Sequence, residues 1–435
     1  MITPYQKYTG SDIKWVEAIP EDWKSAPLYT VASESKLSNK GMIEDNLLSL
    51  SFGRIKRKSI DTQGGLLPAS FDTYQIVNEN DIIFRLTDLQ NDKRSLRSAQ
   101  CTERGIITSA YVAVTPNAIR PRYLHYLMRA YDETKVFYNL GAGMRQSLKY
   151  DELKRLPILL PPELTQQAIE KFLDRETQRI DSLIEEKETF IKLLKEKNQA
   201  LISHVVTKGL NPNVEMQDSG IEWIGQVPKH WEKCRVKQIA SFITSGPRGW
   251  SDFICDNGDA IFLQSGDLNN ELGLNLAKAK RVSPPDGAEG QRTQLRMNDV
   301  VVCITGANTG RVALVTELDS TVYVNQHLSL IRPIVEKVSS KYLAYFLSSE
   351  AGNRYYALEQ YGLKEGLSLK NVAETPLVLP PLSEQTTIEK YLDEALGTLS
   401  NLVTSVEESI NLLKERRTSL ISAAVTGKID VREAV

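Results

Sequence analysis

LPPELTQQAIEKFLD occupies residues 160–174, and LPPLSEQTTIEKYLD occupies residues 379–393. Pro161 and Pro380, the first prolines of the two stretches, stand 219 residues apart. Solenoid repeats recur about every 20–50 residues, so this period points instead to two related halves, each a domain followed by a helix. The same offset places Tyr123, Leu124 and Tyr126 on Tyr342, Leu343 and Tyr345. It continues through LLKE at 193–196 and 412–415, LIS at 201–203 and 420–422, and VT at 206–207 and 425–426. A second pair, SDIKWVEAIPEDW from Ser11 and SGIEWIGQVPKHW from Ser219, is shifted by 208 residues and sets Trp15, Pro20 and Trp23 on Trp223, Pro228 and Trp231. The second half therefore holds a net 11 further residues between Trp231 and Tyr342. The frame is duplicated, and the material inside it is not.

Each repeat ends in a long amphipathic stretch. Proline cannot continue a helix but can precede one, so a helix is expected after each PP pair, with Thr165 and Ser383 as N-caps. Ile169, Leu173, Ile180, Leu183, Phe190, Leu194 and Leu201 follow at spacings of three, four and seven, or sums of these. Ile388, Leu392, Leu399, Val406, Leu413 and Leu420 do the same in the second copy. Heptad-like stripes with Glu and Lys on the other faces mark paired helices. From residue 165 to 205 such a helix is roughly 60 Å long at about 1.5 Å per residue, too long and one-sided to stand alone in water. The two copies are therefore expected to pair with each other.

Between the frames the pattern is mixed. TYQIVNENDIIFRL (73–86) and TQLRMNDVVVCIT (293–305) both read as a turn, Asn-Asp, then an apolar strand. ITSAYVAVTP (107–116) and NQHLSLIRP (325–333) read as later strands, and residues 121–140 and 339–360 as matched helices closing each globule. The expected fold class is α+β: two mixed α/β domains separated by two long antiparallel helices forming a coiled-coil spacer, with a pseudo-twofold internal repeat. The expected boundaries are 1–155 (leading strap 1–23), 156–210, 211–374 (strap 211–231) and 375–435.

Composition sets limits on function. Hydrophobic residues make up 41% and charged residues 25%, ordinary for a globular chain with two or three cores. No apolar run is long enough to span a membrane, and the first residues lack the apolar core of a secretory signal. Cys101, Cys234, Cys255 and Cys303 show no CxxC pairing, so no metal site is expected and a reducing cytoplasm fits. A net charge of −2 still permits nucleic-acid binding, because phosphate contacts need only local basic patches. RIKRK (54–58), KRSLR (93–97) and KAKR (278–281) are such patches. No catalytic constellation is present. Adenine methylation would need an FxGxG loop and an [ND]PP[YF] loop, yet PP occurs only in LPPE, LPPL and SPPD. GAGMRQ (141–146) follows a helix rather than a strand, GANTGR (306–311) lacks phosphate-loop spacing, and the four histidines lack HExxH spacing.

Two similar domains held apart suit an extended, bipartite ligand, and duplex DNA repeats its readable features about every 34–36 Å. The strap pair, together with LPPELTQQAIEKFLD…LLKEKNQALISHVVTKGL and LPPLSEQTTIEKYLD…LLKERRTSLISAAVTGKI, resembles the specificity subunits of Type I restriction–modification systems over the whole chain. The resemblance implies two target recognition domains reading the halves of a split site in double-stranded DNA. It also implies two methyltransferase subunits that hold S-adenosylmethionine and methylate adenine at N6. Up to two restriction–translocase subunits using ATP and Mg would join, the chain itself binding no cofactor and working on the nucleoid.

Residue-level choices rest on local chemistry: arginine suits guanine, asparagine and glutamine suit adenine, and lysine suits phosphate. In the first domain they are Arg54, Lys56, Arg57 and Lys58 in a loop, then Arg85, Lys93 and Arg94. In the second they are Arg248 and Trp250 of TSGPRGW, Gln264 and Ser265 of LQSGDLNN, and Asn308 and Arg311 of TGANTGR. Arg145 aligns with Lys364, and both are read as phosphate clamps. The alternatives are a metal-dependent nuclease built on Asp81 or Asp299, and a coiled-coil scaffold that binds only proteins.

Overall fold

The computed structural model of the chain describes residues 3–60, 70–89, 92, 95–139, 147–285, 287–360 and 366–434. Contacts gather it into two units, Met1–Lys187 with Glu407–Val435, and Glu188–Val406. Neither long helix forms a body of its own, since both are divided between the units. None of the described helices is long and apolar enough to cross a membrane.

The first unit opens with a hairpin, Tyr8–Gly10 against Ala18–Pro20. Lys24–Pro27 then pairs with Pro157–Leu160, which brings the two ends of the domain together. Inside this frame lies an antiparallel sheet in the order Ala32–Glu34, Val112–Pro116, Ile82–Phe84, Ser98–Gln100. The helix Pro121–Glu133 packs Tyr123, Leu127 and Tyr131 into one core with Phe84, Ile169 and Leu173. The second unit repeats the frame at the spacing seen in the sequence. Met216–Asp218 pairs with Gln226–Pro228, and Glu232–Arg235 with Pro376–Leu379. Its sheet runs Ala240–Ser245, Leu328–Pro333, Val300–Cys303, Val312–Leu314.

The interiors differ. The first unit adds two hairpin-like pairs, Leu48–Ser51 with Arg54–Arg57 and Gln75–Val77 with Gly105–Ile107. The second adds a three-stranded sheet in which Ala260–Leu263 joins Lys280–Val282 antiparallel and Val322–Val324 parallel. Residues 339–360, expected as one helix, break at Ser349, which ends Ser340–Ser348 and caps Glu350–Glu359. The Ser349 hydroxyl donates to the Phe346 carbonyl at 2.6 Å, offering the backbone an alternative to continued helix.

The long helices span Glu163–Lys208 and Leu382–Val425. Thr165 and Ser383 therefore lie inside the first turn rather than capping it. The Thr165 N–H already donates to the Pro162 carbonyl at 2.8 Å, and the prolines occupy positions whose missing donors cost nothing. The shared motif positions now have physical roles. Gln166 accepts the Arg120 N–H at 3.1 Å, as Gln385 accepts that of Ser339 at 2.8 Å. Glu170 accepts the Tyr123 N–H at 2.9 Å, and Glu389 that of Tyr342 at 3.1 Å. Asp174 and Asp393 accept the hydroxyls of Tyr126 and Tyr345 at 2.5 and 2.8 Å. Each long helix thus satisfies orphan donors at the start of its domain's closing helix.

Both helices enter both cores. In the first unit, Ile169 and Leu173 from the start of one join Ile421 and Val425 from the end of the other, and Asp181 pairs with Arg417 at 2.9 Å. In the second unit, Ile388 and Leu392 join Ile202 and Val206. Gly427 (φ +75°) sits against Pro20 and Trp23, and Gly209 (φ +73°) against Trp231, where a Cβ would collide with or crowd the ring. The first unit also closes the chain ends: Asp430 bridges to Thr3, and Tyr8 donates to the Gly427 carbonyl at 3.0 Å.

Of the stripe residues, Ile169, Leu173, Ile180, Leu194, Ile388, Leu392 and Val406 are buried, while Leu183, Leu201, Leu399, Leu413 and Leu420 are half-buried. Phe190 is the exception, 42% exposed. Ten residues at about 100° each leave it roughly 80° around the helix from Ile180, so it lies off the packed face.

The Tyr342 hydroxyl lies 2.8 Å from the Val378 carbonyl and 3.0 Å from that of Val206. Tyr342→Phe would leave both buried carbonyls without this donor. Urea denaturation followed by circular dichroism should show a loss of about 1–3 kcal/mol.

Candidate nucleic-acid interface

In the first unit the basic run 54–58 is not a loop. Leu48–Ser51 pairs with Arg54–Arg57 in register Leu48↔Arg57, Ser49↔Lys56, Leu50↔Ile55 and Ser51↔Arg54. Side chains alternate across a strand, so Leu48, Leu50 and Ile55 face the core while Arg54 and Lys56 face away with Ser49 and Ser51. Lys58 continues that exposed face, and its N–H donates to the Leu47 carbonyl at 2.8 Å. Among the described residues Arg54, Lys56 and Lys58 make no ion pair. Arg57 does, gripping the Glu103 carboxylate with Nε 2.8 Å from each oxygen, and its guanidinium holds that carboxyl below its usual range. Arg57 is therefore neutralised where the sequence made it a reader. Its strand parity turns it away from Arg54 and Lys56. Arg85 is half-buried just beyond Ile82–Phe84. Of the KRSLR patch, Arg97 is fully buried and structural, donating to the Thr87 carbonyl at 3.3 Å and the Tyr138 hydroxyl at 3.2 Å. Lys93, Arg94, Arg145 and Lys364 lie outside the described residues.

In the second unit four of the chosen residues come together. The Asn308 amide donates to the Ser265 carbonyl at 3.2 Å, and Arg311 to the Leu268 carbonyl at 3.0 Å. Gln264, half-buried, begins that segment, its N–H donating to Asp267 at 2.7 Å. Beside them opens a polar cleft of about 280 Å³, lined in part by Asn269, Asn270, Asn308, Thr309 and Arg311. Amides offer paired donor and acceptor, and among the described residues Arg311 spends one of its five donors, on Leu268, so the lining can address base edges. Asn269, Asn270 and Thr309 were not singled out from the sequence. The density of Asn in LQSGDLNN and TGANTGR was the available signal. Arg248 is exposed beside this unit's core.

Trp250 is not available to a ligand. It is 3% exposed, packed with Ala260, Phe262 and Val282, and meets Tyr323 edge-on at 5.3 Å. Its neighbours Gly249 and Arg248 belong to a loop, but the indole turns inward because burying a large apolar ring outweighs a surface contact. Asp81 and Asp299 likewise serve the fold. Each follows an asparagine with positive φ (Asn80 +75°, Asn298 +70°) and accepts the N–H three residues earlier, Asn78 and Arg296, at 2.8 Å. Burial raises the Asp81 carboxyl above its usual range, and Asp299 is paired with Arg332 at 2.7 Å. Among the described residues no group of acids, histidines and cysteines could hold a metal ion.

Residues 228–411 match the family model described as the Type I restriction modification DNA specificity domain. This segment belongs to the Type I specificity family. The resemblance drawn from the repeated frames is borne out. A curated relative, the Type I restriction enzyme EcoBI specificity subunit of Escherichia coli, is 21% identical over 346 residues, covering 76% of this chain and 70% of its own. A chain from a solved structure titled for complex assembly and conformational transition of the type I R-M system matches with TM-score 0.69 at 17% identity, over 94% of this chain and 98% of that one. The HsdS subunit from Thermoanaerobacter tengcongensis matches with TM-score 0.50 at 16% identity over the same shares. At these identities the two structures establish a shared fold.

Trp250→Ala should destabilise the chain by about 3–5 kcal/mol in denaturant titrations. It should leave the sequence preference of whatever protein remains folded unchanged.

Proposed function

We propose that the whole chain is the DNA-specificity subunit of a Type I restriction–modification complex. The first unit reads one half of a split, asymmetric site through its basic hairpin, and the second reads the other half through its polar cleft. The paired long helices act as the spacer that sets the gap. Two methyltransferase subunits carrying S-adenosylmethionine methylate adenine at N6 where these domains direct them, and up to two ATP- and Mg-dependent restriction–translocase subunits join on the nucleoid. The chain positions chemistry and performs none.

One observation carries this reading: the frame recurs, down to the Gln, Glu, Asp and Tyr contacts, while the surfaces it presents differ in chemistry. A protein needing one ligand twice would keep its presented surfaces alike. A protein reading two different short sequences at a set spacing needs this combination. The family match over 228–411 supports the same reading.

Replacing residues 24–155 with the corresponding segment of a homologous chain should change the letters of one half-site and leave the other half and the gap intact. Mapping methylated adenines in a genome carrying the hybrid with its partners reads this directly, and an unaltered target would overturn the assignment. Adding two helical turns before Phe190 and at the matching place in the second helix should lengthen the gap while keeping the letters of both halves.

A further inference from the structure

The turn joining Leu48–Ser51 to Arg54–Arg57 is Phe52-Gly53. Both residues have left-handed backbone, φ +47° and +71°. Two-residue hairpin turns of this kind favour Asn, Asp or Gly first, because a Cβ is strained there. Phe52 is neither permitted cheaply by the backbone nor retained by packing, since 71% of it is exposed, more than most other large hydrophobic residues described. A bulky ring kept at a strained, solvent-facing tip marks a position held for a contact outside the fold.

The tip is braced from below. Arg129, on the closing helix Pro121–Glu133, is buried, and its Nη2 donates to the Gly53 carbonyl at 2.6 Å. The left-handed backbone at Gly53 favours glycine, and a Cβ there would also displace that guanidinium from its bond. Behind the ring, Arg54, Lys56 and Lys58 line one exposed face at alternate positions, about 7 Å apart along the strand. They make no ion pair among the described residues. Among the described residues the acid bound to the basic run is Glu103, which takes Arg57 on the opposite face. An aromatic point backed by three cations unpaired among the described residues is complementary to a stacked polyanion. A protein partner would call for acids or apolar neighbours around the ring, and the adjoining face offers serines and cations.

We infer that Phe52 is a stacking wedge: its ring enters a groove of duplex DNA and inserts against a base step, while Arg54, Lys56 and Lys58 hold the flanking phosphates. Apolar wedges of this kind unstack and kink DNA. The inference rests on the DNA-reading function proposed above and adds a deformation step to it.

The test uses the full chain assembled with its methyltransferase partners, and duplexes of the mapped target carrying 2-aminopurine at successive positions. The wild-type complex should brighten the probe at one step in the half-site read by the first unit. Phe52→Ala should abolish that signal and weaken binding roughly 5- to 150-fold, the range for losing one base–aromatic stack, without changing the salt slope. Phe52→Trp should retain both. Lys56→Ala should instead lower the salt slope by about 0.9 and keep the signal. Phe52→Gly, which relieves the turn, should melt no lower than wild type and still bind as weakly as Phe52→Ala, separating the wedge from a folding role. If Phe52→Ala binds and brightens like wild type, or if it loses the methyltransferase partners rather than DNA, the wedge is overturned alone. A wild-type complex with no sequence preference would overturn the DNA-reading proposal and the wedge with it.

Discussion

Each unit hangs on one buried tyrosine hydroxyl. Tyr123 stands 3.1 Å from the Leu159 carbonyl and 3.5 Å from that of Val425. Tyr342 makes the matching approach to Val378 and Val206. A phenol has one proton to donate, and both tyrosines are wholly buried, so the site is stable only while strand end and helix end sit together around it. Burial pushes both phenol pKa values well above their usual range, keeping that donor present at any physiological pH. The contact joins a strand of one repeat to the helix end of the other, so neither repeat completes a core from its own residues.

That sharing explains why the frame is conserved between the halves and its contents are not. Gln166, Glu170 and Asp174 occupy one helix face because they lie four residues apart, and all three are spent on the closing helix and its tyrosines. Losing any of them would leave a donor unpaired near the core. The residues between the frame's strands carry no such obligation. One unit fills the space with a twisted basic hairpin and the other with a small additional sheet beside an amide-lined cleft.

The two candidate surfaces differ in chemistry. Three cations unpaired among the described residues, with a ring, suit a backbone and a deformable base step, whereas Asn269, Asn270, Asn308 and Arg311 offer the mixed donor and acceptor pattern that base edges return. The acids most open to suspicion, Asp81 and Asp299, are consumed by backbone N–H groups and by Arg332.

The duplicated frame, the long helices, the strands after each Asn-Asp turn and the family likeness were all legible in the sequence, because periodicity and fixed offsets are one-dimensional signals of burial. The candidate site was legible only in part. Parity within a strand separates Arg57 from Arg54 and Lys56, and it depends on a register that the turn at Phe52-Gly53 sets. Trp250 reads as a loop aromatic until Phe262 and Tyr323, many residues away, close around it. Phe190 fits a heptad by counting and leaves the packed face by helical drift. Sequence alone determined that two like scaffolds with unlike contents exist here. Tertiary structure decided which helix end completes which core and which side chains remain free for a partner, because those depend on pairings between residues that no local pattern links.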